Sequence, residues 1–290
     1  MVDKSLLGIN TVHIDKDEVK ALGLNRMEIC IGRQGTYEAC YQKACDEMDF
    51  AEANEIPYSI HLPIQLFDWF EADFLDAFFL DPDPDKRALS LRLLEANLKG
   101  LEDRTAEYYV IHFPGVYLTP HMAEDVFDAV LSDSLEKVNT LAKKANKRIL
   151  LEYFGSNKMF SDYREWTKRL ASYSHLGILV DTGHLYYSSL LHAFDFEDGL
   201  NHLSQHSEAF HLWTTKGDQP YSDNYYYKKY HHISVHPVQQ SADGWAFDAL
   251  PVVKQLIACN KPIVLEATPI YEGVSYFYDS IKAIQNIVGS

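Results

Sequence analysis

Six apolar runs in this chain stop at a residue that can bind a metal ion or carry a proton. The run "ILVDTGH" (178–184) stops at Asp181 and sets His184 three residues further on. The others are "YSIHLPI" with His61, "YYVIHFPG" with His112, "ILLEYFG" with Glu152, "AFHLWTT" with His211 and "PIVLEATP" with Glu266. Imidazole nitrogens and carboxylate oxygens are the ligands that divalent cations such as Mn, Zn, Mg or Co accept. Carboxylates gathered in one place repel each other and resist desolvation, and a bound cation is the simplest relief. Taken singly, each residue has a plainer reading. A strand-end histidine such as His61 or His112 is commonly a hydrogen-bonded loop residue, and Glu152 or Glu266 alone would read as a structural acid in an ion pair. Six apolar runs ending in ligand types point instead to site chemistry, provided the fold brings the endings together.

The elements between these runs decide that question. "MEICIG" (27–32) is strand-like and precedes a helical pattern over 37–54. "YSIHLPI" (58–64) leads, after an irregular stretch, to a helical pattern over 85–103. "YYVIHFPG" (108–115), "RILLEYF" (148–154) and "LGILVDTG" (176–183) precede helical patterns over 120–146, 162–173 and 190–206. "AFHLWTT" (209–215) follows, and "PIVLEAT" (262–268) precedes a helix over 274–288. With a weaker strand in "LLGINTV" (6–12), this makes eight strand–helix units of the kind that build a parallel sheet. Eight units in 290 residues predict an α/β chain folded as a single (β/α)8 TIM barrel, one domain over 1–290. All eight strands of such a barrel end at one mouth, so His61, His112, Glu152, Asp181, His211 and Glu266 are expected to converge there. His184 falls on the first turn after its strand.

The ordered set "IHLP", "VIHFPG", "LLEYFG", "LVDTGH", "FHLW" and "VLEATP" resembles the xylose isomerase-like TIM-barrel superfamily over roughly residues 27–270. The resemblance implies a metal core of Glu152, Asp181, His211 and Glu266. In the sugar isomerase and epimerase branch one ion sits on these four, and the glutamates serve as acid and base across an enediolate. In the endonuclease IV branch three zinc ions take further ligands, for which His61, His112, His184 and either His231 or His232 stand in matching places. That branch also expects an Asp two residues before the last histidine. "KKYHHISVHP" (228–237) has Lys229 or Tyr230 there, which argues against a full three-ion cluster.

Composition separates the branches further. The formal net charge is −16, from 42 acidic and 26 basic residues, which repels a nucleic-acid backbone. The nearest basic stretches are "KKANKR" (143–148) and Lys228–Lys229. The segment 65–85 is acidic and aromatic, and Trp69 and Phe70 could either wall off a sugar or pack over the barrel; the tyrosines of 221–232 allow the same two readings. Four scattered cysteines without a C-x-x-C pair disfavour a thiolate zinc site and fit a reducing cytoplasm. The N-terminus has no signal-peptide pattern, and the apolar stretches are too short to span a membrane. The expectation is a cytoplasmic, divalent-metal-dependent sugar or polyol isomerase or epimerase acting on a sugar-like small molecule. In it Glu152 and Glu266 transfer the proton and His184 hydrogen-bonds the substrate. The alternative is an apurinic-site endonuclease with a zinc cluster, and a third reading is a barrel keeping its metal only as a staple of the fold.

Overall fold

The apolar runs become eight strands: β1 Leu7–Asn10, β2 Met27–Cys30, β3 Tyr58–His61, β4 Tyr109–Phe113, β5 Ile149–Tyr153, β6 Leu176–Asp181, β7 Ala209–Leu212 and β8 Ile263–Leu265. They form a closed barrel in chain order, the (β/α)8 fold expected. Except for His112, every strand residue is buried, as befits parallel strands covered on both faces. This is a computed structural model, and it describes residues 6–12, 14–31, 36–70, 79–113, 122–155, 157–216, 232–270 and 272–289.

The helices are α1 Lys16–Ala21, α2 Tyr37–Ala53, α3 Pro84–Gly100, α4 Glu124–Ala145, α5 Tyr163–Leu170, α6 Thr182–His192, α7 Phe196–His206, α8 Ala249–Ala258 and α9 Val274–Val288. Aspartates start several of them. The side chains of Asp15, Asp83, Asp162, Asp181 and Asp195 each accept backbone N–H groups that the first turn leaves without a helical partner. Two differences from the sequence reading have local causes. The helix expected over 190–206 begins only at Phe196, after Ala193 takes a left-handed conformation (φ 55°) and Asp195 caps a new start, and a separate helix, α6, opens directly at Thr182 where none was expected. Helix α8 went unexpected because Pro251 interrupts its pattern, yet a proline in the first turn costs no hydrogen bond.

By compactness the chain divides into two units, residues 1–28 with 180–290 and residues 29–179. In the first, Asn10 of β1 stands opposite Glu28 of β2, and His211 of β7 opposite Val264 of β8. In the second, His112 of β4 stands opposite Glu152 of β5. The loop after β5 is pinned by its own packing: the Tyr153 hydroxyl donates to Ser161 O (2.5 Å), and the Trp166 indole donates to Phe160 O (2.7 Å) while stacking on the Phe160 ring. Among the described residues no helix is long and apolar enough to cross a membrane.

Candidate metal and proton-transfer site

The D-T-G-H stretch is a strand end, a helix cap and a packing cradle at once. Asp181 closes β6 and caps α6, its Oδ1 accepting the His184 backbone N–H at 2.7 Å. Its Oδ2 accepts the Trp213 indole N–H at 2.6 Å. Thr182 Oγ1 donates to Trp213 O (2.8 Å) and accepts from Trp213 N (3.2 Å), locking the start of α6 to the end of β7. Gly183 leaves the room: a Cβ there would lie 2.2 Å from the Trp213 ring. The four-residue motif therefore fixes one buried indole, and the indole fixes one carboxylate oxygen.

His211, on β7, is fully buried. Its Nδ1 lies 3.3 Å from Glu266 Oε2 and 3.7 Å from Asp181 Oδ2. Its Nε2 lies 2.9 Å from Glu28 Oε1. The His232 ring lies parallel to the Trp213 indole with centroids 4.0 Å apart, and its Nδ1 is 3.0 Å from Glu266 O and 3.7 Å from Glu266 Oε2. His184 packs edge-on against Trp213, with Nε2 4.0 Å from Asp181 Oδ2. One nitrogen and two carboxylate oxygens thus face each other around His211 Nδ1. Imidazole nitrogen and carboxylate oxygen are donor types that a divalent cation accepts, so these residues could hold one.

The second unit has its own cluster. Glu152 is fully buried, and its Oε2 lies 3.1 Å from His61 Nε2 and 3.4 Å from His112 Nε2. The two imidazoles meet edge to face at 4.7 Å, and His61 Nδ1 is 3.4 Å from Leu62 O. Ligand atoms of these three residues all lie within 4.8 Å of one another, a spacing one ion would fit.

Each unit therefore gathers the expected residues that fall in it. His231, Lys229 and Tyr230 lie outside the described residues, as do all the tyrosines of 221–232 and part of the segment 65–85. Within that segment Trp69 stacks on Phe67 (5.1 Å) beneath the Arg92 guanidinium (3.9 Å), while Phe70 is buried. Packing, rather than an open wall, describes these two rings. Three residues escaped the sequence reading: Glu28, Asn10 and Trp213. Glu28 lies inside "MEIC", where a lone acid among apolar residues of a barrel strand is a signal; Trp213, one residue past β7, reads as ordinary core.

No family model matches the chain, and no curated protein does. Solved structures do. A D-tagatose 3-epimerase-like protein aligns with TM-score 0.67 and 14% identity over 98% of both chains. The apo form of 3-keto-D-glucoside 4-epimerase, YcjR, from E. coli aligns with TM-score 0.66 and 14% identity over 97% of this chain and 99% of that one. Endonuclease IV from Thermus thermophilus aligns with TM-score 0.58 and 16% identity over 97% of this chain and 99% of that one. At these identities the likeness establishes the fold alone, a closed (β/α)8 barrel. Both branches that the motifs resemble are among its structural neighbours.

Proposed function

We propose that the protein is a divalent-metal-dependent isomerase or epimerase of a sugar or polyol, with Glu152, Asp181, His211 and Glu266 holding one ion. The observation that carries this reading is the convergence of Asp181 Oδ2 and Glu266 Oε2 on His211 Nδ1, at 3.7 and 3.3 Å. Strand order supports adding Glu152, since β5 to β8 are consecutive in the barrel. The ion would supply positive charge to adjacent substrate oxygens, which acidifies a C–H beside a carbonyl. One glutamate then takes that proton as the C–H electron pair moves toward the carbonyl to give an enediolate, and the other returns a proton to carbon. His184 hydrogen-bonds the substrate. Two of the structural neighbours are named as an epimerase or epimerase-like, and the net charge of −16 suits a small substrate better than a nucleic acid.

The test is metal analysis of the purified chain, with solvent-deuterium exchange into candidate ketoses and keto-sugars. One equivalent of ion is expected, with exchange that is lost in both Glu152→Gln and Glu266→Gln. A chain that takes up no divalent ion would overturn the reading. The proposal also treats residues 1–290 as one domain, so a single cooperative unfolding transition is expected and two separated transitions would contradict it.

A second reading, an endonuclease IV-like hydrolase, is favoured by His61 and His112 both facing Glu152 Oε2. In the isomerase these histidines bind substrate, so the His61→Ala/His112→Ala double variant should weaken turnover and keep its one ion. In the nuclease the same variant should lose an equivalent of metal.

A further inference from the structure

Two histidines that take no part in the site above stand one helical turn apart. His202 and His206 lie four residues apart on α7, a spacing that puts both on one face of the helix. Their rings are nearly parallel, with centroids 4.7 Å apart and planes 26° apart. His206 is exposed and His202 half-buried, so the pair is open to solvent. His206 Nδ1 donates to His202 O at 2.9 Å, which ties its ring to the preceding turn and leaves Nε2 on the other side of the ring. Helix α7 ends at His206, beside the start of β7, and its last carbonyls carry partial negative charge. That end already draws one cation: Lys261 Nζ donates to Ser204 O at 2.9 Å.

We infer that His202 and His206 form a surface clamp for a borderline transition-metal ion, Zn2+, Ni2+ or Cu2+, separate from the ion of the proposed function. Two imidazoles at this helical spacing bring a nitrogen each to one ion, at about 2.0–2.1 Å for zinc, with small side-chain rotations. Imidazole selects these metals over Mg2+ and Mn2+, which favour oxygen ligands. The net charge of −16 concentrates cations at the surface. With two protein ligands against the four of the proposed core, water completes the coordination and the ion exchanges readily. It washes out on desalting, which leaves the single equivalent expected of the purified chain. Supplied with nickel or zinc, the protein holds one ion more than its proposed core accounts for.

The test uses the full chain without an affinity tag, freed of metal and titrated with Ni2+ alone by calorimetry at neutral pH. His206→Ala and the His202→Gln/His206→Gln double variant are titrated beside it. Each variant should take up one equivalent of Ni2+ fewer than the unaltered chain, while Mn2+ isotherms of all three coincide. Ni2+ should also broaden the backbone amide resonances of the last turn of α7, in the unaltered chain alone. Coinciding melting curves of the metal-free proteins separate loss of the clamp from loss of fold. Where His206→Ala melts early, the double glutamine variant and the broadening decide. Equal Ni2+ stoichiometry in the unaltered chain and the double variant overturns the inference, as does a lost equivalent without broadening at α7. Because the readout is a difference between chains, it judges the clamp whether or not the proposed core takes an ion.

Discussion

Gly183 and Trp213 show how tightly single residues are tied at this site. Replacing Gly183 with Ala would drive a methyl into the indole at 2.2 Å, so Trp213 must move and Asp181 must lose its N–H partner. Overpacking of this kind costs about 1–3 kcal/mol. Gly183→Ala is therefore expected to melt earlier and also to bind the proposed ion more weakly, read by thermal denaturation and metal titration. Trp213→Phe keeps a ring against His232 but removes the indole N–H, and about a tenfold loss of metal affinity is expected. Unchanged affinity in both variants would mean that Asp181 needs no such support. The six strand-end residues were legible in the sequence because a ligand type ending an apolar run is visible without knowing the partners. Glu28 and Trp213 were not, since their roles depend on which side chain faces them across neighbouring strands, and one chain's pattern does not encode that.

Helix α2 and strand β3 meet the start of β4 through a polar cluster that belongs to the fold rather than to the site. Glu52 accepts from the Tyr58 hydroxyl (2.5 Å), from Thr105 N and Oγ1 (both 3.2 Å) and from Arg104 (3.0 Å). Burial pushes the Glu52 carboxyl up, but the bonds from Tyr58, Thr105 and Arg104 outweigh it and hold the carboxyl below the usual range. A carboxyl lowered by folding stabilises the fold above its unfolded pKa, and that contribution is lost as pH falls through the lowered folded value. Glu52→Gln is thus expected to cost about 1 kcal/mol at pH 7, and the gap from wild type should close as the pH drops below about 4. Denaturant titrations across pH measure it, and a gap that widens in acid would contradict the assignment. At this scale the sequence located every strand, since buried apolar runs stand out. It named no helix at α6 or at α8, where Pro251 sits in a first turn that tolerates it, and it began α7 too early, before the left-handed Ala193 and the Asp195 cap.

Charge acts on the molecule as a whole. With a net charge of −16, binding to a duplex carrying an apurinic site should be weak and vanish as salt rises, measured by fluorescence anisotropy. Site-specific incision at physiological ionic strength would reverse the choice between the two readings of the fold. The closure of the barrel has a different consequence, one for synthesis. Leu7 of β1 pairs with Ile263 of β8, and Glu266 follows directly after. At roughly 5–20 residues per second, β1 waits tens of seconds on the ribosome for the strand that covers its edge. During that interval a short apolar edge stands open, and an unpaired edge is a template for aggregation. Newly made chains are therefore expected to depend on chaperones in proportion to translation time. A chain cut short before β8 also lacks Glu266, so the ion site of the proposed function is complete only after the last strand has closed the ring.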